Sequence, residues 1–189
     1  MKYNKQDLVK SPLNYIGGKF KLLPQLLIRF PNKINTLYDI FGGGGTISLN
    51  TKAQHVHYND IVPYVGDLLN DLKKENINSA LTKIHSVINK YNLSTTNTEG
   101  FNKLRNDYNN GEKSWEYFYM LVCHSFNYQF RYNNKQEYNS SFGINRSYYS
   151  QTTEKKLVEF MNKFHKLDIV FTSKDFREFD FSKVNLEYQ

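Results

Sequence analysis

A run of four glycines between two apolar segments is the strongest chemical signal in this sequence. Residues 38–50 read as a strand that ends at Phe41, the glycines 42–45, and an apolar run that could begin a helix. Glycine permits positive φ and close approach of a ligand, and a helix start leaves amide N–H groups unpaired. Asp60 follows the next apolar stretch, 18 positions after Gly42. Because an acid at about this distance binds ribose hydroxyls in dinucleotide folds, the pattern predicts an adenosine-containing ligand. A tight strand-to-helix turn without a ligand is the alternative.

A second glycine motif lies upstream and ends in a lysine. Residues 14–19 read Asn-Tyr-Ile-Gly-Gly-Lys and precede apolar residues at helical spacing that stop at Pro31. A lysine at a helix start is unfavourable against the macrodipole, which suggests that Lys19 serves an anionic group. A triphosphate-binding loop does not fit, because Leu13 stands where its first glycine is required and Phe20 replaces Ser or Thr after the lysine. An ordinary turn with a solvated lysine is the alternative.

The order and spacing of three motifs resemble the opening of the Dam-type (D12 class) adenine-N6 DNA methyltransferases. These motifs are Tyr-Ile-Gly-Gly-Lys, Asp-Ile-Phe-Gly-Gly-Gly-Gly and Tyr-Asn-Asp-Ile, and the similarity continues through residues 101–108 and 125–143. The family uses S-adenosylmethionine (SAM) and commonly recognises GATC. The resemblance implies an α/β fold with a Rossmann-like SAM-dependent methyltransferase sheet, apparently truncated, and an inserted helical and hairpin DNA-recognition domain.

The resemblance also implies roles for single residues. Tyr15 and Lys19 match the aromatic-x-Gly-Gly-Lys contacts to SAM, and Asp60 matches the ribose-binding acid. Phe176, which follows a candidate strand at 169–172, is similar to a family position beside the cofactor adenine. The expected cofactor-binding residues are Tyr15, Lys19, Phe41, Gly42, Gly43, Gly45, Asp60 and Phe176.

The sequence departs from the family at its catalytic motif. Family members carry an Asp-Pro-Pro-Tyr tetrapeptide, whose Asp accepts a hydrogen bond from the target adenine N6 and whose aromatic ring stacks on the flipped base. The four prolines of this chain, at 12, 24, 31 and 63, are never adjacent. In the family the tetrapeptide follows the strand after the segment equivalent to 175–183, so the sequence stops just short of it. We therefore expect no catalytic residues and no turnover from this polypeptide alone.

Residues 125–133 resemble the family's DNA-recognition segment, and Asn133-Asn134 can form the turn of a hairpin. Arg131 is the leading base reader, because an arginine in the major groove can bond guanine O6 and N7 together. A solvated hairpin with exposed Arg and Tyr is the alternative. Tyr128 and Phe130 are expected to wedge or stack near the displaced base, and Lys135 and Arg146 to contact phosphates. The expected DNA-binding residues are Asn127, Tyr128, Phe130, Arg131, Lys135 and Arg146.

Composition agrees with a nucleic-acid partner. The chain has 25 Lys and Arg against 18 Asp and Glu, a net charge of +7, which favours a polyanion. Its single cysteine, Cys123, excludes an internal disulfide, and neither a signal peptide nor a membrane span is evident. A cytoplasmic location fits. The five histidines are scattered, so no metal site is expected.

The chain divides into three predicted parts. Residues 1–65 are expected to form the N-terminal part of the SAM-binding catalytic domain, 66–150 a helical target-recognition domain with the hairpin, and 151–189 the return to the catalytic domain. Apolar spacing predicts helices within 66–112 and over Trp115 to Phe126 and 152–166, and a strand over 168–173.

Three functions remain open. The first is an adenine-specific DNA methyltransferase in fragment form or as the N-terminal half of a split enzyme, with a complementary C-terminal chain as partner beside double-stranded DNA. The second is a catalytically dead DNA-binding module. The third is an unrelated nucleotide-dependent enzyme, which leaves both the Tyr15–Lys19 motif and the Arg131 segment unexplained.

Overall fold

The computed structural model describes residues 7–15, 17–111 and 113–183 and contains a parallel sheet of three strands. The strands pair in the order β1, β2, β3, and Val56 of the middle strand faces Leu37 on one side and Ile169 on the other. Parallel pairing confirms the predicted α/β class. The strands are β1 Ile34–Asp39, β2 Ala53–Asn59 and β3 Ile169–Thr172.

The two faces of the sheet differ in burial. Val56 and Tyr58 of β2 are both buried, and Tyr58 belongs to the main hydrophobic cluster. Side chains of alternate residues point to the opposite face, where Tyr38 and His57 stack with ring centroids 4.8 Å apart. Val170 is 53% exposed. The second face therefore presents aromatic and apolar side chains to solvent.

Two short helices follow the glycine motifs. α1 Leu23–Leu27 continues a 3-10 turn at Phe20–Leu22, and α2 Thr46–Asn50 follows the four glycines. The apolar spacing predicted that the first helix would reach Phe30, and that length was wrong. After Leu27 the chain tightens into turns, in which the Arg29 and Phe30 N–H groups donate to the Leu26 and Leu27 carbonyls, and Pro31 then disfavours helical backbone at Phe30.

Four longer helices follow β2 before the irregular segment at 125–150. Two of them begin at asparagines whose side chains cap the first turn: Asn76 accepts from the N–H groups of Asn78 and Ser79, and Asn97 from that of Gly100. These helices confirm the helical spacing predicted for the middle of the chain. They are α3 Pro63–Lys74, α4 Ile77–Tyr91, α5 Thr98–Asn109 and α6 Trp115–His124.

Helix α6 is the centre of the core. All of its residues except Glu116 are buried, and α3, α4 and α5 pack against it. Cys123 lies within α6, where burial raises the pKa of its thiol to about 12. The thiol therefore stays protonated, as expected for a packing residue.

The segment after α6 turns back on itself without forming regular strands. Its two arms are joined by isolated antiparallel bridges, Ser125 to Phe142 and Tyr132 to Tyr138. The turn lies where the sequence predicted it, and the Asn133 side chain holds it by accepting from the N–H groups of Lys135 and Glu137. The predicted hairpin is therefore a long loop held together by two isolated bridges; we call residues 125–142 the excursion.

The chain then returns to the sheet through α7 Gln151–Phe164, which the Ser150 side chain caps. Helix α3 lies against β3, α6 and α7, so a continuous core joins the sheet to the inserted helices. The predicted divisions at 65/66 and 150/151, the separate recognition domain and the truncation of the sheet stay predictions.

Candidate cofactor pocket and nucleic-acid interface

A cavity of about 370 Å³ opens at the carboxyl ends of the strands. Its volume lies in the range of small-molecule sites. Seven of the eight residues predicted from the sequence line it: Tyr15, Lys19, Phe41, Gly42, Gly43, Asp60 and Phe176. Gly45, the eighth, instead precedes α2 in a left-handed conformation, with φ at 72°, and its N–H donates to the Gly42 carbonyl.

Three consecutive residues at the end of β2 hold the glycine loop in place. The Gly42 N–H donates to the Asn59 carbonyl at 2.8 Å, and the Gly43 N–H donates to Asp60 Oδ2 at 2.7 Å. The Tyr58 hydroxyl donates to the Gly43 carbonyl at 2.6 Å. Because these loop amides are bonded within the protein, they are not available to bind a pyrophosphate. At these two amides, the loop does not match the phosphate-binding turn of the nucleotide-dependent enzyme that the sequence left open.

The close approach of β2 explains why glycine is required at the loop. A Cβ added to Gly42 would lie 2.2 Å from the Tyr58 ring. Gly43 has a φ of 49°, a left-handed conformation that side chains rarely adopt. The same glycines that form the cavity wall therefore pack directly on a fully buried tyrosine.

Asp60 and Tyr15 are the titratable groups deepest in the cavity wall. Asp60 is 7% exposed, and its Oδ1 accepts from the Val62 N–H at 2.9 Å. A carboxylate has about four lone-pair positions, so each oxygen keeps capacity for a ligand hydroxyl. Burial, and secondarily the Asp60 charge, raise the pKa of Tyr15, which keeps its hydroxyl protonated.

Lys19 lies at the exposed end of the cavity. Its Nζ donates to the Gly17 carbonyl at 2.7 Å, and its side chain stays accessible to solvent. An ammonium group at this position can pair with a ligand carboxylate.

Two aromatic rings form the opposite wall. Phe41 is 75% exposed and Phe176 is 48% exposed, and their centroids are 5.6 Å apart. Ile61, 65% exposed, adds an apolar surface that the sequence analysis missed; its position directly after Asp60 was the available signal. These groups can contact a flat apolar ring, and Asp60 can accept from hydroxyls beside it.

Half-buried Asp39, the last residue of β1, holds the helix that follows the glycine loop. Its Oδ2 accepts from the Ser48 N–H at 3.1 Å and from the Ser48 hydroxyl at 2.7 Å. Burial raises the pKa of this carboxyl, although the bonds from Ser48 partly offset that effect. Asp39 therefore fixes α2 against the end of β1.

The segment after α6 begins with two strained residues. Asn127 and Tyr128 have φ of 56° and 57°. Positive φ is uncommon for residues other than glycine, and a bulky residue such as tyrosine adopts it least readily. The Asn14 side chain donates to the Asn127 carbonyl at 3.0 Å. Backbone strain of this kind persists where the surroundings hold it, often at functional positions.

The two phenylalanines at the start of this segment, Phe126 and Phe130, differ in their packing. Phe130 lies 5.8 Å from the Tyr15 ring and 5.4 Å from the Phe118 ring, so it packs against the core. Phe126 is 46% exposed, and the Arg146 guanidinium lies 5.4 Å from its ring centroid. The sequence analysis selected Phe130 for a wedge and missed Phe126, although both lie in the same motif.

The basic residues of the segment reach solvent. Arg131, Lys135 and Arg146 are all exposed, and the Tyr128 hydroxyl donates to the Arg146 carbonyl at 3.4 Å. Arg131 lies on the first arm, where its carbonyl accepts from the Asn139 N–H. The structure thus joins Tyr128, Arg146 and Phe126 in one exposed cluster, with Lys135 at the turn of the excursion.

Contacts link the cavity to this segment. Besides Asn14 and Tyr15, Tyr64 of α3 stacks on Tyr132 with centroids 3.9 Å apart and donates to Gln136 Oε1 at 2.8 Å. Tyr15, which lines the cavity, therefore packs directly against Phe130 of the excursion, and Asn14 and Tyr64 add contacts from outside the cavity.

Among the described residues, no three His, Cys, Asp or Glu side chains are grouped so that they could hold a metal ion. Over the same part of the chain, no helix is both long and apolar enough to cross a lipid bilayer.

Comparison with known proteins matches the chain to one family along almost all of its length. Residues 15–187 match the profile of the D12 class N6 adenine-specific DNA methyltransferase. The type II methyltransferase M.FokI of Planomicrobium okeanokoites is 42% identical over 184 residues, 97% of this chain and 28% of that protein. The modification methylase StsI of Streptococcus sanguinis is 40% identical over 176 residues, 93% of this chain and 27% of that protein. The DNA adenine methylase of Haemophilus influenzae is 29% identical over 140 residues, 72% of this chain and 48% of that protein. The chain therefore spans less than a third of the length of the first two relatives.

Proposed function

The chain belongs to the D12 class of N6 adenine-specific DNA methyltransferases, and from that premise we propose that it binds SAM and reads the DNA site in adenine-N6 methylation. The observation that carries this proposal is the cavity, where residues from three separate motifs converge on one space. Methylation of DNA would serve modification, the activity named for the relative StsI.

The cavity has the chemical groups that SAM requires. Asp60, Phe41, Phe176 and Lys19 line it together. Asp60 would accept from the ribose hydroxyls, Phe41 and Phe176 would contact the adenine ring, and Lys19 would pair with the methionine carboxylate. SAM supplies a methyl group on a sulfonium centre when it is bound. Tyr15 lies between the cavity and the recognition segment, where it can hold the methionine end beside the DNA.

The exposed segment after α6 supplies the DNA contacts. Arg131 would read a guanine of a GATC-like site through O6 and N7, and Lys135 would contact phosphate. Asn127 lies at the strained start of the segment, within reach of a base edge. Phe126 is a better wedge than Phe130, because its ring is exposed whereas Phe130 packs on Tyr15 and Phe118.

We further propose that the 189-residue chain alone does not transfer methyl groups. An adenine amino group is a poor nucleophile because its lone pair is delocalised into the ring, so catalysis needs a positioned acceptor. The family's Asp-Pro-Pro-Tyr tetrapeptide, which supplies that acceptor and an aromatic platform, is absent from the sequence. An aromatic platform contributes about 1–3 kcal/mol per base, and extracting the base costs a few kcal/mol. A complementary polypeptide that carries the tetrapeptide would restore transfer.

The alternative is a DNA-binding module that has lost catalysis altogether and only competes for sites. It retains Arg131 and its neighbours, but it gives no reason for Lys19 and Asp60 to remain in one cavity with two exposed aromatic rings.

The experiment that tests the proposal combines binding and transfer in one preparation. Radiolabelled SAM and a set of duplexes, with GATC and with each base of it changed, are incubated with the chain, and retained SAM, retained DNA and methylated adenine are measured. We expect SAM retention and preferential DNA retention without methylation. Methylated adenine would contradict the proposed inactivity, and the absence of both SAM and DNA retention by folded chain would contradict the proposed function.

A further inference from the structure

The side-chain amide of Asn59 joins the carboxyl ends of all three strands. Asn59 is the last residue of β2 and is 2% exposed. Its Nδ2 donates to the Ile40 carbonyl at 3.1 Å and to the Lys174 carbonyl at 3.0 Å. Its Oδ1 accepts from the Thr172 hydroxyl at 2.8 Å and from the Lys174 N–H at 2.9 Å. The amide thus uses both of its donors and both lone pairs of its oxygen.

Both loops that Asn59 holds carry an aromatic wall of the cavity. Ile40 directly precedes Phe41, and Lys174 lies two residues before Phe176. The two rings are tilted by 50° with their centroids 5.6 Å apart, and both are substantially exposed. The positions of these rings therefore depend on loop backbones that a single side chain joins.

The distance between the two rings decides how a flat ligand can bind. A purine between two aromatic rings needs them roughly 7 Å apart, twice the ~3.5 Å contact distance of carbon atoms. At the observed 5.6 Å the rings touch each other, so an adenine either lies against one ring or separates the pair. A small shift of either loop changes which of these arrangements is accessible.

We propose that Asn59 is a positioning residue for the adenine ring of SAM. Its amide sets the separation of the Phe41 and Phe176 loops, and it acts on the ligand through those two rings. This inference rests on the proposed function, since it takes the cavity to be the SAM site.

Replacing the Asn59 amide by a carboxylate isolates what its N–H donors contribute to SAM binding. Asn59→Asp keeps the shape of the side chain and can still accept from Thr172 and Lys174. It has no donor for the Ile40 and Lys174 carbonyls, so oxygens of like partial charge face each other there. The two loops are then expected to move apart at their bases while the sheet stays paired.

The test is a double-mutant cycle on SAM affinity, measured by calorimetry. Asn59→Asp should weaken SAM binding at least about tenfold. This factor corresponds to the free-energy cost of leaving one buried polar group without a hydrogen-bond partner. In the Phe176→Ala background the same substitution should weaken binding less than about threefold, because with one ring of the pair removed the separation of the two loops no longer sets the space for the adenine. A merely structural role would give the same loss in both backgrounds.

Asn50→Asp is the matched control. Asn50 is 3% exposed and fully hydrogen-bonded, but it lies at the end of α2 and does not line the cavity. Its substitution should leave SAM affinity unchanged. If Asn59→Asp does not fold, Thr172→Val takes its place, because it removes one bond to Oδ1, and a loss of about threefold that disappears with Phe176→Ala is expected.

The outcomes separate this inference from the proposed function. If the folded parent chain binds no SAM, the proposed function fails and the role of Asn59 fails with it. If the parent binds SAM but Asn59→Asp binds equally well, or loses the same factor in both backgrounds, only the positioning role is overturned.

Discussion

At the scale of single residues, the end of β2 determines the shape of the cavity. Tyr58, Asn59 and Asp60 each form a hydrogen bond to the glycine loop. Three consecutive residues at the end of β2 therefore hold Gly42 and Gly43 in place. Tyr58 does so from a fully buried position, where desolvation and the Asp60 charge raise the pKa of its hydroxyl far above the usual range. The hydroxyl therefore remains a donor at every working pH.

Tyr58→Phe should destabilise the fold without changing its shape. The substitution removes the hydroxyl that donates to the Gly43 carbonyl at 2.6 Å and leaves that carbonyl without its side-chain partner. The expected cost is about 1–3 kcal/mol in the free energy of unfolding, measured by urea titration. Tyr64→Phe is the control, because its hydroxyl bonds an exposed Gln136 side chain, and its loss should stay within about 0.5 kcal/mol. Equal costs for the two substitutions would contradict this account of the loop.

At the scale of elements, local patterns predicted most of the helices and strands. The apolar run of α6, the helical spacing within 66–112 and the apolar stretch before Asp60 are properties of neighbouring residues, so they are visible in the sequence. The exposure of Phe126 and the burial of Phe130 are not, because they depend on Tyr15 and Phe118, which come from other elements. The length of α1 was misjudged because the apolar spacing was followed up to Pro31, whereas the helix ends at Leu27.

Arg131→Ala should reduce sequence preference more than overall DNA affinity. An arginine that bonds guanine O6 and N7 contributes roughly 1–3 kcal/mol of discrimination, so the ratio of affinities for a preferred and a changed site should fall about 5- to 150-fold. The measurement is competition binding with duplexes that differ at one base pair.

Lys135→Ala is the control for this prediction. It lies exposed at the turn, and it should weaken binding to all duplexes alike and lower the salt dependence by about one phosphate contact. If both substitutions weakened all duplexes to the same degree, Arg131 would be a phosphate contact.

At the scale of the whole molecule, one core connects the sheet with the inserted helices, so a change in α6 is felt throughout. His124 is the last residue of α6 and is 2% exposed, and its Nδ1–H donates to the Met120 carbonyl. The backbone carbonyl of His124 accepts from the Gly143 N–H at 2.8 Å. Burial lowers the pKa of His124 below its ordinary value of 6.5.

Stability should therefore fall on acidification, and His124 should contribute to the fall. The unfolded chain binds a proton at His124 near pH 6.5, whereas the folded chain binds it only at a lower pH, so protons favour unfolding between these two values. Thermal melts from pH 7.5 to 5.5 should show a smaller drop in Tm for His124→Gln than for the parent chain. Parallel profiles would contradict a buried, neutral His124.

The candidate site was partly predictable at this scale as well. The glycine loop and Asp60 are separated by a short stretch of chain, and spacing alone predicted their proximity. The Asn59 network was not predictable, since its amide bonds Ile40 and Lys174, 19 and 115 positions away. Only the order of the strands in the sheet brings those two loops to one side chain.

The most direct test of the central claim is calorimetric titration of SAM into the 189-residue chain, its Asp60→Asn variant and an Asp67→Asn control. Asp67 lies exposed on α3 outside the cavity, whereas the Asp60 carboxylate lines the cavity, accepts from the Gly43 and Val62 N–H groups and is the proposed acceptor for the ribose hydroxyls. We predict saturable binding at one site for the parent and Asp67→Asn, and at least about tenfold weaker binding for Asp60→Asn. A folded parent chain that shows no saturable binding, or an Asp60→Asn variant that binds as tightly as the parent, would contradict the account.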